Sequence, residues 1–177
     1  MSNNLLSKFG LELNVGVVGA SGGLGQAFVE QFASQLHVAK IHAFSRTQIK
    51  FENEKVESHQ IDIQSEHSIQ EALDAIGDTI LFDIVVVATG FLHDEHVSPE
   101  KTIRDVNMDY FREVFSVNTY GPALLAKYFL PRLQRDRKSV FACLSARVGS
   151  ISDNRLGGWY AYRASKAALN MILKNAA

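Results

Sequence analysis

Residues 82–88, Phe-Asp-Ile-Val-Val-Val-Ala, constrain the fold more than any other stretch of this chain. A strand with one wet face alternates apolar and polar residues, and Ile84–Ala88 does not alternate at all. Such a run belongs in a sheet covered on both faces, which means parallel strands joined by crossover helices. The rest of the chain supplies those parts in turn. Leu13–Val18 is a short β-branched run, after which Ala27, Phe28, Phe32, Ala33 and Leu36 recur at helical spacing. Ile41–Phe44 and Val56–Ile61 predict two further strands, and Ile69, Ala72, Leu73 and Ile76 predict an amphipathic helix closed by Gly77. His93–Thr102 is polar, contains Pro99 and predicts a loop. A long helix is expected from about Val106 to Arg135, interrupted near Gly121-Pro122. A strand over Ser139–Leu144, a loop over Ile151–Trp159 and a last helix from about Tyr160 follow. This alternation predicts an α/β fold, a doubly wound parallel sheet with helices on both faces.

With 177 residues, the chain is expected to form one domain over 1–177. A net charge of -1 leaves no electrostatic footprint for nucleic acid or an anionic membrane. Ile84–Ala88, the longest strongly apolar stretch, is too short to span a bilayer. Residues 1–18 contain Lys8, Glu12 and Asn14 and run straight into a glycine turn, unlike a signal peptide. Cys143 is the single cysteine, which excludes an intramolecular disulfide and points to a reducing compartment, the cytosol. Inside an apolar strand it reads as an inert core thiol. The sequence stops at Ala177 while its pattern is still helical, with no capping glycine, which reads as a chain cut off.

The first strand runs into Gly19-Ala20-Ser21-Gly22-Gly23-Leu24-Gly25. A helix N-terminus offers unpaired N–H groups and partial positive charge, and glycines let backbone approach a phosphate closely. The spacing is G-x-x-x-G-x-G, not the G-x-G-x-x-G fingerprint, so glycine as mere punctuation stays an alternative. Position after the first strand of an alternating pattern favours a Rossmann-like dinucleotide site. At the end of the second strand stand Ser45-Arg46, with no carboxylate until Glu52. An acidic residue there would select NAD, whereas an arginine accommodates the 2′-phosphate of NADP. The reading is NADP(H), with a solvated loop arginine as the plain alternative.

Tyr162 and Lys166 lie four residues apart and share one face of the last helix. A free phenol has a pKa of about 10. An adjacent ammonium would lower it toward the working range, letting the phenol protonate a carbonyl oxygen. Tyr160 has Ala164 in the corresponding place and no such partner.

These residues, with Asp62-Ile63, Ala88-Thr89-Gly90, Val117-Asn118-Thr119-Tyr120-Gly121-Pro122 and Ala167-Ala168-Leu169-Asn170, carry a resemblance to the short-chain dehydrogenase/reductases over nearly the whole length. Arg147–Asn154 and Gly157-Gly158-Trp159-Tyr160 resemble the carbonyl-reductase branch containing sniffer and C-factor-like proteins. The resemblance implies a cofactor site of Gly19, Ser21, Gly23, Leu24, Gly25, Ser45, Arg46, Asp62, Ile63, Ala88, Thr89 and Gly90, together with Tyr162 and Lys166. Asp62 would contact adenine, Gly90 would lie along the cofactor, and Lys166 would hold the nicotinamide ribose. Asn118 would sit at a break in the long helix and hold a water linking Lys166 to solvent. A small-molecule carbonyl substrate and a homodimer or homotetramer are implied as well.

The chain departs from that pattern in places. Ala88 replaces the usual asparagine after the fourth strand, and Ala146 stands where the family carries its catalytic serine. Neighbouring strand residues face opposite ways, so Ser145 is not an automatic substitute; it is the favoured stand-in if the strand end is twisted, and Ser150 is the other candidate if the loop bends in. The strands and substrate-covering segment that follow the Tyr–Lys helix in the family are not supplied here. His93-Asp94-Glu95-His96 reads as a solvated acidic loop, and no metal is expected. Arg132, Arg135, Arg137 and Lys138 read as the basic end of the long helix. The functional expectation is hydride transfer between NADPH and an aldehyde or ketone. Tyr162 would be the acid, Lys166 and Asn118 its supports, and Ser145 would orient the substrate. A non-enzymatic NADP(H)-binding signalling module is the rival. A sugar-nucleotide epimerase is the weaker third, since its G-x-x-G-x-x-G spacing is absent.

Overall fold

The computed structural model describes residues 5–95 and 97–177. Five strands, β1 (Leu13–Val18), β2 (Val38–Ser45), β3 (Val56–Gln60), β4 (Ile84–Val87) and β5 (Val140–Cys143), form one parallel sheet in the order β3-β2-β1-β4-β5. Helices α1 (Gly23–Ala33), α2 (Glu66–Ile76), α3 (Met108–Phe115), α4 (Gly121–Phe129) and α5 (Tyr160–Ala176) connect them. The doubly wound α/β arrangement read from the sequence is therefore the observed one.

The apolar run at 84–87 is buried on both sides, as its lack of alternation requires. On one face Val85 and Val87 join Phe44, Phe82, Leu125 and Phe129 under α2 and α4. On the other, Ile84 and Val86 join Val15, Val17, Ile41 and Val29, with Phe28 and Phe32 of α1 against them. Val29, not Leu36, is the core residue of α1. The helix stops at Ala33, so Leu36 falls in a turn and is 95% exposed. β5 is one of the two edge strands, opposite β3, and is only half-buried.

The long helix is interrupted next to Gly121-Pro122, as expected, and ends earlier than Arg135. A π turn at Ser116–Tyr120 separates α3 from α4, and α4 passes at Phe129 into a 3₁₀ turn over Leu130–Arg132. Pro131 has no N–H to continue the helical ladder. The basic residues beyond it do not serve that helix end. Arg132 donates to the Leu73 and Gly77 carbonyls, each at 3.0 Å, and so caps α2. Arg137 pairs with Asp83, whose carboxylate is wholly buried, with Nε 2.6 Å from Oδ1. Asp83 also accepts the Asn14 amide at 2.9 Å, which fixes β4 against β1 at the sheet's lower end.

Candidate functional site

The chain order reverses between β1 and β4, and their C-terminal ends therefore open the crevice where such sheets bind ligands. A groove of about 610 Å³ lies there. Of the residues expected to hold the cofactor, Gly19, Ser21, Ser45, Arg46, Asp62, Ile63, Ala88, Thr89 and Gly90 line it. Gly23, Leu24, Gly25, Tyr162 and Lys166 do not, and Leu24 is 65% exposed. Gly25 acts instead through space: a Cβ there would lie 2.0 Å from the Gly19 carbonyl oxygen. Gly19 itself has φ +88, and a Cβ on it would meet Thr89 Cγ2 at 2.9 Å. The turn is thus folded back on its own helix and pressed against the end of β4.

Two features of the groove fit a phosphate-bearing dinucleotide. Gly22, the N-cap of α1, offers no side-chain cap and lines the groove, so amides at this N-terminus lack a side-chain acceptor. Thr89 Oγ1 is buried with no hydrogen-bond partner among the described residues. Arg46 is exposed at the far end and forms no ion pair among those residues. Ser45 is less available, since its hydroxyl donates to the Thr47 carbonyl at 2.7 Å. Asp62 accepts the Gln64 amide at 2.9 Å while also facing the groove, so it both ends β3 and lines the site. Gln64, Phe91, His93, Asp94, Glu113 and Val117 complete the wall without having been foreseen, because they come from loops and helix faces with no local signal.

At the inner end Gly90, Asn118 and Lys166 converge. A Cβ on Gly90 would lie 3.7 Å from both Asn118 Oδ1 and Lys166 Nζ. Asn118, in the π turn and wholly buried, accepts the Phe91 amide and donates to the Phe91 carbonyl, both at 2.8 Å. It also donates to Ser165 Oγ at 3.2 Å, while Thr119 Oγ1 donates to the Ser165 carbonyl at 3.0 Å. The π turn therefore grips both the loop after β4 and the helix bearing Tyr162 and Lys166. Ser165 and Thr119 were missed by sequence reasoning; a serine beside Lys166 on the inner face was the available signal.

Lys166 is 3% exposed, and its ammonium donates to the Leu144 carbonyl at 2.9 Å. Burial lowers its pKa. Tyr162 is half-buried, with the Lys166 ammonium 5.8 Å from its ring centroid. Its pKa is raised by burial rather than lowered by the lysine, because the ammonium is turned to Leu144. Cys143, half-buried on β5, has its thiol pushed up to about 12 by burial against an opposing pull from Lys166.

The structure does not bring Ser145 to Tyr162. Its hydroxyl donates to Asn170 Oδ1 at 2.7 Å, two helical turns further along α5. Ser150 is engaged within its own loop, with Ser152 Oγ at 3.3 Å and the Asp153 amide donating to it. In the 93–96 loop, Asp94 Oδ1 accepts the Val97 amide at 2.9 Å, and His96 lies outside the described residues. Metal-type donors gather elsewhere: His42, Glu57 and His59 on β2 and β3. These groups already satisfy one another, with His42 Nδ1 3.0 Å from His59 Nε2 and Glu57 2.9 Å from Lys40. Among the described residues no helix is long and apolar enough to cross a membrane.

Residues 14–177 match the short chain dehydrogenase family, and the chain belongs to it. It is 29% identical over 160 residues to benzil reductase ((S)-benzoin forming) of Bacillus subtilis, covering 89% of this chain and 63% of that one. It is 38% identical over 71 residues to the C-signal protein of Myxococcus xanthus, covering 40% of this chain and 43% of that one. A short-chain dehydrogenase/reductase structure from Burkholderia multivorans with bound NADP superposes with a TM-score of 0.77 at 25% identity, covering 93% of this chain and 71% of that one. The chain thus spans less than two thirds of the length of these curated relatives.

Proposed function

We propose that the chain binds NADP(H) in the β1/β4 groove and reduces an aldehyde or ketone with Tyr162 as general acid. The observation that carries this reading is the convergence of Gly90, Asn118 and Lys166 at the inner end of a groove whose outer end holds Arg46. When bound, NADPH supplies the hydride. The protein's share is positioning and proton transfer. Burial keeps the Tyr162 phenol protonated, the state an acid needs in the reductive direction. Lys166 would hold the nicotinamide ribose; its pKa is lowered by burial and its ammonium donates to the Leu144 carbonyl. Asn118 holds Phe91 and Ser165, so its side chain acts by fixing the loop and α5. Thr89 Oγ1, which has no hydrogen-bond partner among the described residues, would bond the cofactor. Arg46 would take the 2′-phosphate.

Titration with NADPH and, separately, NADH tests the reading. Trp159 is the single tryptophan and packs edge-on against Tyr162 with centroids 6.2 Å apart. Saturable quenching with NADPH preferred is expected; a folded sample that binds neither nucleotide refutes it. A homodimer or homotetramer remains part of the proposal, checked by light scattering.

One observation favours the second reading, an NADP(H)-binding signalling module. Ala146 offers no hydroxyl, and Ser145 is held on Asn170, so no serine is presented to a substrate oxygen at this strand end. NADPH binding without reduction of any aldehyde or ketone would select it.

A further inference from the structure

Glu100 lies in the loop after β4, in a polar stretch, and is nevertheless 3% exposed. Both of its carboxylate oxygens face the Ala161 amide, at 3.2 and 3.3 Å. Its own carbonyl accepts the Trp159 amide at 2.6 Å. These two amides belong to the N-cap and second residue of α5, three residues and one residue before Tyr162. The helix provides no cap of its own. Trp159 occupies the N-cap position in the left-handed region, with φ 54, and its side chain makes no capping bond. It follows Gly157 and Gly158, each with φ 66, so three consecutive left-handed residues deliver the chain into α5. A non-glycine residue there is strained and persists only where its surroundings hold it.

Glu100 is itself held. Thr102 and Asp105 form a capping box just beyond it, and Tyr110 Oη donates to the Leu92 carbonyl at 2.6 Å on the other side of the loop. Its charge is felt nearby: Tyr110 is pushed up to about 12 chiefly by burial and next by Glu100. A carboxylate at a helix N-terminus is favoured by the helix dipole and by the free amides together.

We propose that Glu100 is the positioning residue for Tyr162, acting through the Trp159–Ala161 entry to α5. Its carboxylate holds the Ala161 amide, while the Trp159 amide rests on its main-chain carbonyl, which any residue supplies; the side chain thus fixes the first turn of α5 and, through it, the Trp159–Tyr162 contact. The phenol is thereby set in place before any ligand arrives. This inference rests on Tyr162 being the acid, but its structural half can be read without turnover.

The experiment compares Glu100→Ala and Glu100→Gln with the unaltered chain, well below each melting temperature. In Glu100→Ala the near-UV circular dichroism of Trp159 should collapse, and Ala161 should exchange its amide hydrogen about tenfold faster. A carbonyl-reductase assay should lose roughly 10- to 100-fold in kcat with KM for NADPH within about twofold. Glu100→Gln keeps an acceptor oxygen and should restore most of the Trp159 signal, which also covers the case in which the alanine variant does not fold. A merely stabilising role would lower the melting temperature and leave the Trp159 spectrum and kcat unchanged, which overturns the proposal. Unchanged Ala161 protection in Glu100→Ala overturns it too. If the unaltered chain neither binds NADPH nor reduces a carbonyl, the functional reading falls, while the Trp159 and Ala161 results still decide the role of Glu100.

Discussion

Asn118 holds Phe91 by both ends of its side-chain amide, accepting from the backbone N–H and donating to the backbone C=O, each at 2.8 Å. It mimics a strand partner for the residue just beyond β4, and its remaining N–H reaches Ser165 on α5. Asn118→Ala should leave two buried backbone groups unpaired and cost about 2–4 kcal/mol, read by urea denaturation. Asn118→Asp should be no better, since a carboxylate cannot donate to the Phe91 carbonyl. Loss of less than about 0.5 kcal/mol in the alanine variant would mean the clamp is dispensable.

The glycines of the first turn differ in what they do, and substitution should separate them. A Cβ at Gly25 would lie 2.0 Å from backbone, whereas at Gly23 nothing comes within 4 Å. Gly25→Ala should therefore destabilise by about 3 kcal/mol or more and displace the groove wall. Gly23→Ala should be neutral to stabilising by up to about 1 kcal/mol, because alanine is the better helix residue. Equal melting curves for the two variants would contradict this geometry.

A pH dependence follows from His42. Its pKa is lowered to about 4, first by burial and then by repulsion from His59, with Glu57 opposing and Lys40 reinforcing the shift. His59 is lowered as well, again chiefly by burial. The folded state thus resists protonation that the unfolded chain accepts below about 6.5. The stabilisation is complete above that value and is lost as pH falls toward 4. For His42 alone the loss between pH 7 and 5 is about 2 kcal/mol. His42→Phe, placed among Phe44 and Phe82, should flatten that slope in urea midpoints measured across the range. A slope equal to that of the unaltered chain would exclude His42 as its source.

The parts legible in the sequence were those written locally. β1, β4, α2 and α5 announced themselves by period and by punctuation such as Gly77, which ends α2 at φ 97. The groove was legible because strand ends, once ordered, must share one edge of the sheet. What was not legible depends on contacts between distant segments. Arg132 and Arg137 looked like one basic helix end, yet each finds its partner more than fifty residues away. Glu100 looked like a loop carboxylate until the fold set it against Ala161. The break in the long helix was legible from Gly121-Pro122 and from the resemblance at Asn118, but the π turn's form was not, because Asn118 bonds to Phe91, a residue distant in sequence. The direction of the Tyr162 shift needed to be seen too, because spacing alone does not say where the Lys166 ammonium points.

The alanine at 146 gives the most direct test of how far catalysis has been preserved. It lies three residues beyond β5 in extended backbone, φ -145 and ψ 149, and caps the 3₁₀ turn Arg147–Gly149 that packs on Lys166. Ser145 is fixed on Asn170, so it cannot serve the substrate without breaking that bond. A hydroxyl at 146 would follow the family's pattern, polarising the carbonyl that Tyr162 is proposed to protonate. Ala146→Ser should raise kcat for aldehyde or ketone reduction by about 10²-fold, the scale of one oxyanion donor, with little change in NADPH affinity. Ser145→Ala should leave kcat unchanged and cost only about 1 kcal/mol of stability. If Ser145→Ala abolishes turnover while Ala146→Ser does nothing, the substrate lies against Ser145 and the strand end must rearrange when it binds.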